Sequence, residues 1–186
     1  HTVHLNPVKA EDFILPIRHR ITHVIGLEAG QITTQDISVK IPNSANYKPK
    51  EDYLKIAAVE RHFNTGKIGV AVAKGYGLHG GAVASSVSHD SHNIIVIGDN
   101  DEDMALAVNE IIRIQGGYTV VENGKVYKTL PLPIMGLMSD AGFEKVQEIL
   151  QDMIKKAHRM GVPEKMDPFI TLSFMALPVI PELRIT

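Results

Sequence analysis

Apolar and polar positions alternate with a period of two over several short stretches and shift to helical spacing in others. Ile21, His23 and Ile25 share one face against Thr22 and Val24, and Ile37, Val39 and Ile41 alternate within Asp36 to Ile41, so both stretches read as strands. Across Tyr53 to His62, Leu54, Ile56 and Ala58 alternate with Tyr53, Lys55 and Ala57; this predicts a strand, although Ala57-Ala58 would also suit a helix. Lys67 to Lys74 sets Ile68, Val70 and Val72 against the small residues Gly69, Ala71 and Ala73. Ala82 to Ser88 repeats this design, and Asn93 to Gly98 carries the run Ile94 to Ile97 expected of a strand covered on both faces. Val3 and Leu5 against Thr2 and His4 suggest a short edge strand over His1 to Leu5.

Helical spacing begins at Asp101. Met104, Val108, Ile111 and Gln115 recur on one face, Asn100 or Asp101 supplies an N-cap, and Gly116-Gly117 ends the helix. Tyr118 to Leu130 reads as a hairpin through Asn123-Gly124, the residues a type I′ turn prefers. A second helix is expected from Ala141 to about Met160, capped by Ser139 or Asp140, with Phe143, Val146, Ile149, Leu150, Met153 and Ala157 as its stripe. Asp167-Pro168 opens a short apolar helix, Phe169 to Leu177. These elements predict an α+β fold: a layered, mostly antiparallel sheet covered by two or three helices, in a single domain over residues 1–186. The pattern does not give the strand order.

Composition narrows the chemistry. The 186 residues are 44% hydrophobic, with a formal net charge of -2 and no Cys. That suits one well-cored domain and excludes disulfides, thiolate nucleophiles and Cys-zinc sites. No basic stripe points to nucleic acid, and no apolar run approaches the ~20 residues of a membrane span. A cytoplasmic location is the default expectation.

The densest candidate chemistry is the turn Ser88-His89-Asp90-Ser91-His92-Asn93, polar side chains joining two apolar strands without Gly or Pro. His89 and His92 lie close enough in sequence to point the same way, and Asp90 could orient an imidazole; together they form a candidate metal or proton-transfer set. The competing reading is a turn capped by its own side chains. Ser86, Asn93 and Lys74 are candidate substrate contacts, His62 is a second candidate site residue, and Glu60-Arg61 reads as a surface or rim pair. Gly75-Tyr76-Gly77-Leu78-His79-Gly80 matches G-x-G-x-x-G, but a strand follows it where a dinucleotide site needs a helix, so a glycine-rich hairpin loop is expected. The apolar, proline-pinned loop Pro131 to Met138 is expected to pack on the core or on a partner.

Several motifs, taken in order, resemble one family: Val59-Glu60-Arg61-His62, Lys74-Gly75-Tyr76-Gly77-Leu78, Ser85 to Asn93, Asn100 to Ala105, Leu130-Pro131-Leu132-Pro133, Gly136 to Asp140 and Asp167-Pro168-Phe169. The chain resembles the C-terminal domain of bacterial adenine deaminases of the amidohydrolase superfamily. The resemblance implies a full-length enzyme that converts adenine and water to hypoxanthine and ammonia. A divalent metal (Mn, Fe or Zn) would be held mainly by a preceding barrel with an H-x-H strand motif. No H-x-H occurs here, and 186 residues cannot hold the eight strand–helix units of such a barrel. The chain is therefore expected to be one domain, inactive alone, with His1 to Ile17 as a linker strand after the barrel. The barrel and adenine are the implied partners, with a homodimer as a further expectation; the resemblance assigns no role to the turn, but its six polar residues suggest that it faces the barrel mouth, where His89, Asp90 and His92 would take accessory catalytic or metal roles. Two alternatives stand beside this: a stand-alone metal- or small-ligand module built on His62, His89, Asp90 and His92, or a purely structural or dimerisation domain.

Overall fold

The computed structural model describes residues 2–186; His1, expected in an edge strand, lies outside the described residues. Eight strands form one sheet in the order β2-β1-β4-β3-β6-β5-β7-β8. They are β1 (Thr22–Leu27), β2 (Thr34–Val39), β3 (Tyr53–Val59), β4 (Ile68–Lys74), β5 (Gly81–Ser85), β6 (Ile94–Gly98), β7 (Gly117–Glu122) and β8 (Lys125–Pro131). Every pairing is antiparallel except β1 with β4, which meet at Ile25↔Ala73 and Gly26↔Lys74. The helices are α1 (Asp101–Ile114), α2 (Phe143–Arg159) and α3 (Pro168–Met175). The result is the expected α+β layered fold.

The period-two alternation of the central strands divides the core. Ile94 and Val96 of β6, with Ala57, Val59, Ala82 and Ala84, lie under Met104, Ala107, Val108 and Ile111 of α1. Ile95 and Ile97, with Ile56, Ala58 and Val83, face Met153 and Ala157 of α2 and Phe169, Leu172 and Met175 of α3. The alanines let α1 settle close to the sheet, and Tyr118 stacks on Phe169 with ring centroids 4.5 Å apart. The Asn100 side chain accepts from the Asp103 N–H at 2.7 Å, and Asp167 accepts from the N–H groups of Phe169 and Ile170, so both expected caps form.

Some expectations fail locally. The residues following Thr2 make no ladder with the sheet: Val3, Val8 and Phe13 are buried against α1, while Asn109 holds Val8 from both sides. Packing on a helix has replaced edge pairing. The second helix begins at Phe143 behind Gly142, not at Ala141, because the Ser139 hydroxyl accepts the Ala141 N–H; Phe143 is left 73% exposed rather than in the stripe. The loop after β4 is not a hairpin, because β3 and β6 lie between β4 and β5. Its backbone donors are occupied by carboxylates: Asp52 accepts from Gly75 N at 2.9 Å and Gly77 N at 2.6 Å, and Asp99 accepts from Gly80 N at 2.5 Å and Gly81 N at 3.1 Å. The amides that would bind a phosphate in a dinucleotide site are spent inside the fold. No helix among the described residues is long and apolar enough to cross a membrane.

Candidate functional site

Register brings three segments to one end of the sheet. Val59 pairs with Ile94 and Ser85 with Ile95 and Tyr118, while Gly117 pairs with Pro131. The corner Glu60 to Phe63, the turn Ser86 to Asn93 and the loop Leu132 to Met138 therefore emerge side by side. β5 stops at Ser85 because its hydroxyl takes the Val87 N–H at 2.9 Å, and Ser86 leaves the strand to donate to Gly136 O at 2.6 Å and accept from Gly117 N at 2.8 Å.

The imidazoles gather at this end. His62 donates through Nε2 to Ser91 O at 2.8 Å, which leaves Nδ1 as an acceptor in the neutral ring. His92 accepts the Ser88 N–H at Nδ1, 3.2 Å, which puts the proton of the neutral ring on Nε2. The His89 and His92 rings meet edge to face at 5.5 Å, and His89 lies 5.3 Å from Phe174. The backbone N–H of His89 donates to Ser173 O at 2.9 Å, pinning the turn to α3. Burial pushes the His92 pKa down, His89, Arg61 and His62 push the same way, and only Asp90 opposes them. His92 is thus a neutral donor at neutral pH. Asp90 and Ser91 are exposed.

The corner is not the surface pair its sequence suggests. Burial opposes ionisation of Glu60, but the N–H groups of Thr65, Phe63 and His62 and the Thr65 hydroxyl outweigh it and bring the carboxyl down to about 2. Arg61 turns inward to backbone carbonyls instead of to Glu60.

Of the other candidates, Ser86 is buried and committed to Gly136 and Gly117, and Asn93 is half-buried with its Oδ1 3.4 Å from Arg61 N. Lys74 is at the other end of the sheet: β4 runs away from the Val59↔Ile68 pair, so it sits about 20 Å from the imidazole end. There its ammonium lies 4.8 Å from the centre of the Tyr53 ring. A groove of about 420 Å³, lined by residues including Val39, Ile41, Tyr47, Lys48 and Tyr53, takes in none of the candidate residues. Among the described residues no three His, Asp or Glu side chains are grouped to hold a metal ion, so His89, Asp90 and His92 are not gathered as a ligand set. The Nδ1 of His92 is already committed to a backbone donor.

A family model described as the adenine deaminase C-terminal domain matches residues 31–186. The chain belongs to this family. It is 50% identical to an adenine deaminase of Desulfitobacterium hafniense (strain Y51) over 186 residues, 100% of this chain and 33% of that protein. The adenine deaminase of Methanothrix thermoacetophila is 47% identical over 184 residues, 97% of this chain and 32% of the relative. That of Bacillus subtilis (strain 168) is 43% identical over 183 residues, again 97% and 32%. The chain spans about a third of the length of the curated relatives it matches, and the match falls on their C-terminal part.

Two polar centres of this adenine deaminase C-terminal domain escape a reading of the sequence. Asp52 and Asp99 fill the glycine-rich loop. Lys55, fully buried on β3, donates to Asp101 Oδ1 at 2.6 Å, Asn46 Oδ1 at 2.7 Å and Phe13 O at 2.8 Å. A lone lysine between Leu54 and Ile56 in a strand covered on both faces was the available signal.

Proposed function

We propose that this chain is the C-terminal domain of an adenine deaminase, and that its imidazole-bearing turn faces the module in front of it and helps complete the adenine site. One observation carries this reading. In the longer relatives the preceding chain joins at the start of the matched region, and Thr2 is held here at the same end of the sheet as the turn: its carbonyl accepts from Arg61 at 2.6 Å. The surrounding surface is apolar where a docking face would need it, with Phe63 83% and Met135 63% exposed, and Ile134 and Met138 beside Met135.

The reaction class is hydrolytic deamination, adenine and water giving hypoxanthine and ammonia. A divalent metal held by the preceding module would activate the water. Among the described residues no His, Asp or Glu trio is grouped for a metal, and the part of the turn is to hold hydrogen bonds at the edge of the adenine site. His92 supplies a neutral Nε2–H donor and His62 an Nδ1 acceptor, on segments fixed by backbone hydrogen bonds. His89 positions His92 and walls the site with Phe174.

The test is replacement of His89 and His92 by Ala in the full-length protein. Turnover of adenine is expected to fall roughly tenfold or more, as for loss of a hydrogen bond worth about 1.4 kcal/mol, with metal content unchanged. Unchanged turnover would refute the reading.

A further inference from the structure

Arg61 is 2% exposed, and its guanidinium donates to three separate segments. Nε–H reaches His92 O at 2.5 Å, Nη1–H reaches Thr2 O at 2.6 Å, and Nη2–H reaches Met135 O at 3.1 Å. The ion pairs among the described residues do not include it, so neutral carbonyls alone satisfy a buried cation. The main chain of the same residue repeats the pattern: its N–H faces Asn93 Oδ1 at 3.4 Å and its carbonyl accepts from His4 N at 2.7 Å. Gly136 leaves the room required, since a Cβ there would fall 2.8 Å from Nη1. On its other side the leading segment is held by Gln115, whose Oε1 accepts from Thr2 N at 3.1 Å and Val3 N at 3.3 Å.

We propose that Arg61 is a positioning residue that couples the imidazole-bearing turn to the leading segment, so that the placement of His92 depends on how Thr2 is held. A planar guanidinium fixes three acceptors at set angles, which a lysine ammonium on a flexible stem does not reproduce. Pulling Thr2 away would leave a buried donor unmet and tilt the plane that also grips His92 O and Met135 O. A preceding module that draws on the leading segment would thereby set the turn. The consequence for turnover rests on the reading of the turn given above; the mechanical link does not.

The experiment is amide hydrogen exchange across the full-length protein for wild type, Arg61→Lys, Gln115→Asn and the double variant, alongside adenine kinetics. Gln115 has φ 61, a left-handed conformation that Asn tolerates, and Asn is one methylene too short to reach Thr2. Arg61→Lys is expected to speed exchange over residues 88–93 roughly tenfold, as for loss of one or two hydrogen bonds, while β3 and β6 stay within about twofold. Gln115→Asn hydrogen-bonds neither Arg61 nor the turn, yet is expected to speed the same amides about threefold, and to add nothing in the Arg61→Lys background. The proposal is overturned if Gln115→Asn leaves 88–93 unchanged, if the two effects multiply, or if the whole sheet loosens together. Should Arg61→Lys fail to fold, Gln115→Asn alone decides. With a coupled turn, kcat falls more than KM rises in Arg61→Lys. If exchange responds as expected but neither Arg61→Lys nor His92→Ala alters turnover, the coupling stands and the functional reading of the turn falls.

Discussion

Lys55 Nζ and Asp101 Oδ1 lie 2.6 Å apart, with 0% and 4% of their side chains exposed. Lys55 belongs to the central strand β3 and Asp101 is the first residue of α1, so the pair bolts the helix to the sheet. Asn46 completes it by donating to Asp101 Oδ2 at 2.9 Å while accepting from Lys55. Burial pushes the lysine pKa down, and the hydrogen bond it donates to Asp101 opposes that. Removing Asp101 leaves the buried Lys55 charge uncompensated, and removing Lys55 leaves the buried Asp101 with only the exposed Lys48, 3.6 Å away, as a cation among the described residues. Asp101→Asn and Lys55→Met are each expected to cost about 3–5 kcal/mol, and the double variant less than their sum. Urea unfolding measures this, and single-variant costs below about 1 kcal/mol would rule it out.

Two serines in the same stretch should behave oppositely. Ser86 satisfies Gly136 O and Gly117 N, so Ser86→Ala strands two buried groups and is expected to cost about 2 kcal/mol. The Ser88 hydroxyl is buried with no hydrogen-bond partner among the described residues. Ser88→Ala removes an unmet group and is expected to be neutral or stabilising by up to about 1 kcal/mol. Melting temperatures of the two variants, compared directly, decide the matter.

Acid should weaken the protein through His92. Its folded pKa lies below the ordinary imidazole value, so the unfolded chain binds the proton more readily. The His92 contribution is therefore complete above about pH 6.5 and is lost as pH falls below that value. His92→Asn, which can still accept from Ser88 N, is expected to flatten the decline in urea midpoint between about pH 7.5 and 5. Parallel wild-type and variant curves would show that His92 carries no such linkage.

Chelation should leave this domain intact. No trio of His, Asp or Glu is grouped to hold a metal ion among the described residues, so the expected outcome is a fold that holds without one. The melting temperature of the chain is expected to be the same before and after treatment with excess EDTA. A fall of several degrees would indicate a structural ion.

The parts legible in sequence were those with local causes. Asn100 and Asp167 announce their helices, Asn123-Gly124 announces its hairpin, and Ile94 to Ile97 announces a strand covered on both faces. The end of the sheet where the imidazoles gather was legible only as a cluster of residue types. Arg61 was misread because its partners are backbone carbonyls of Thr2, His92 and Met135, which no residue type advertises. The glycine loop was misread as a hairpin because the crossing of β3 and β6 is a long-range fact, as are the carboxylates of Asp52 and Asp99 that close it. Lys74 was a candidate substrate contact with Ser86 and Asn93 by residue type alone, and register places it at the far end of β4 from them.

The parallel contact between β1 and β4 has a consequence for how the molecule comes apart. Among the described residues the β1–β2 hairpin makes its ladder contact with the other six strands at Ile25↔Ala73 and Gly26↔Lys74, and the C-terminal tail clips it through Thr34 to Pro181, Glu182 and Leu183. A flap with so narrow a seam is the natural first fragment to detach under mild denaturant. Limited proteolysis should then nick around Ala29 to Thr33 while the rest of the sheet is still intact, and trimming the last residues should hasten the cut.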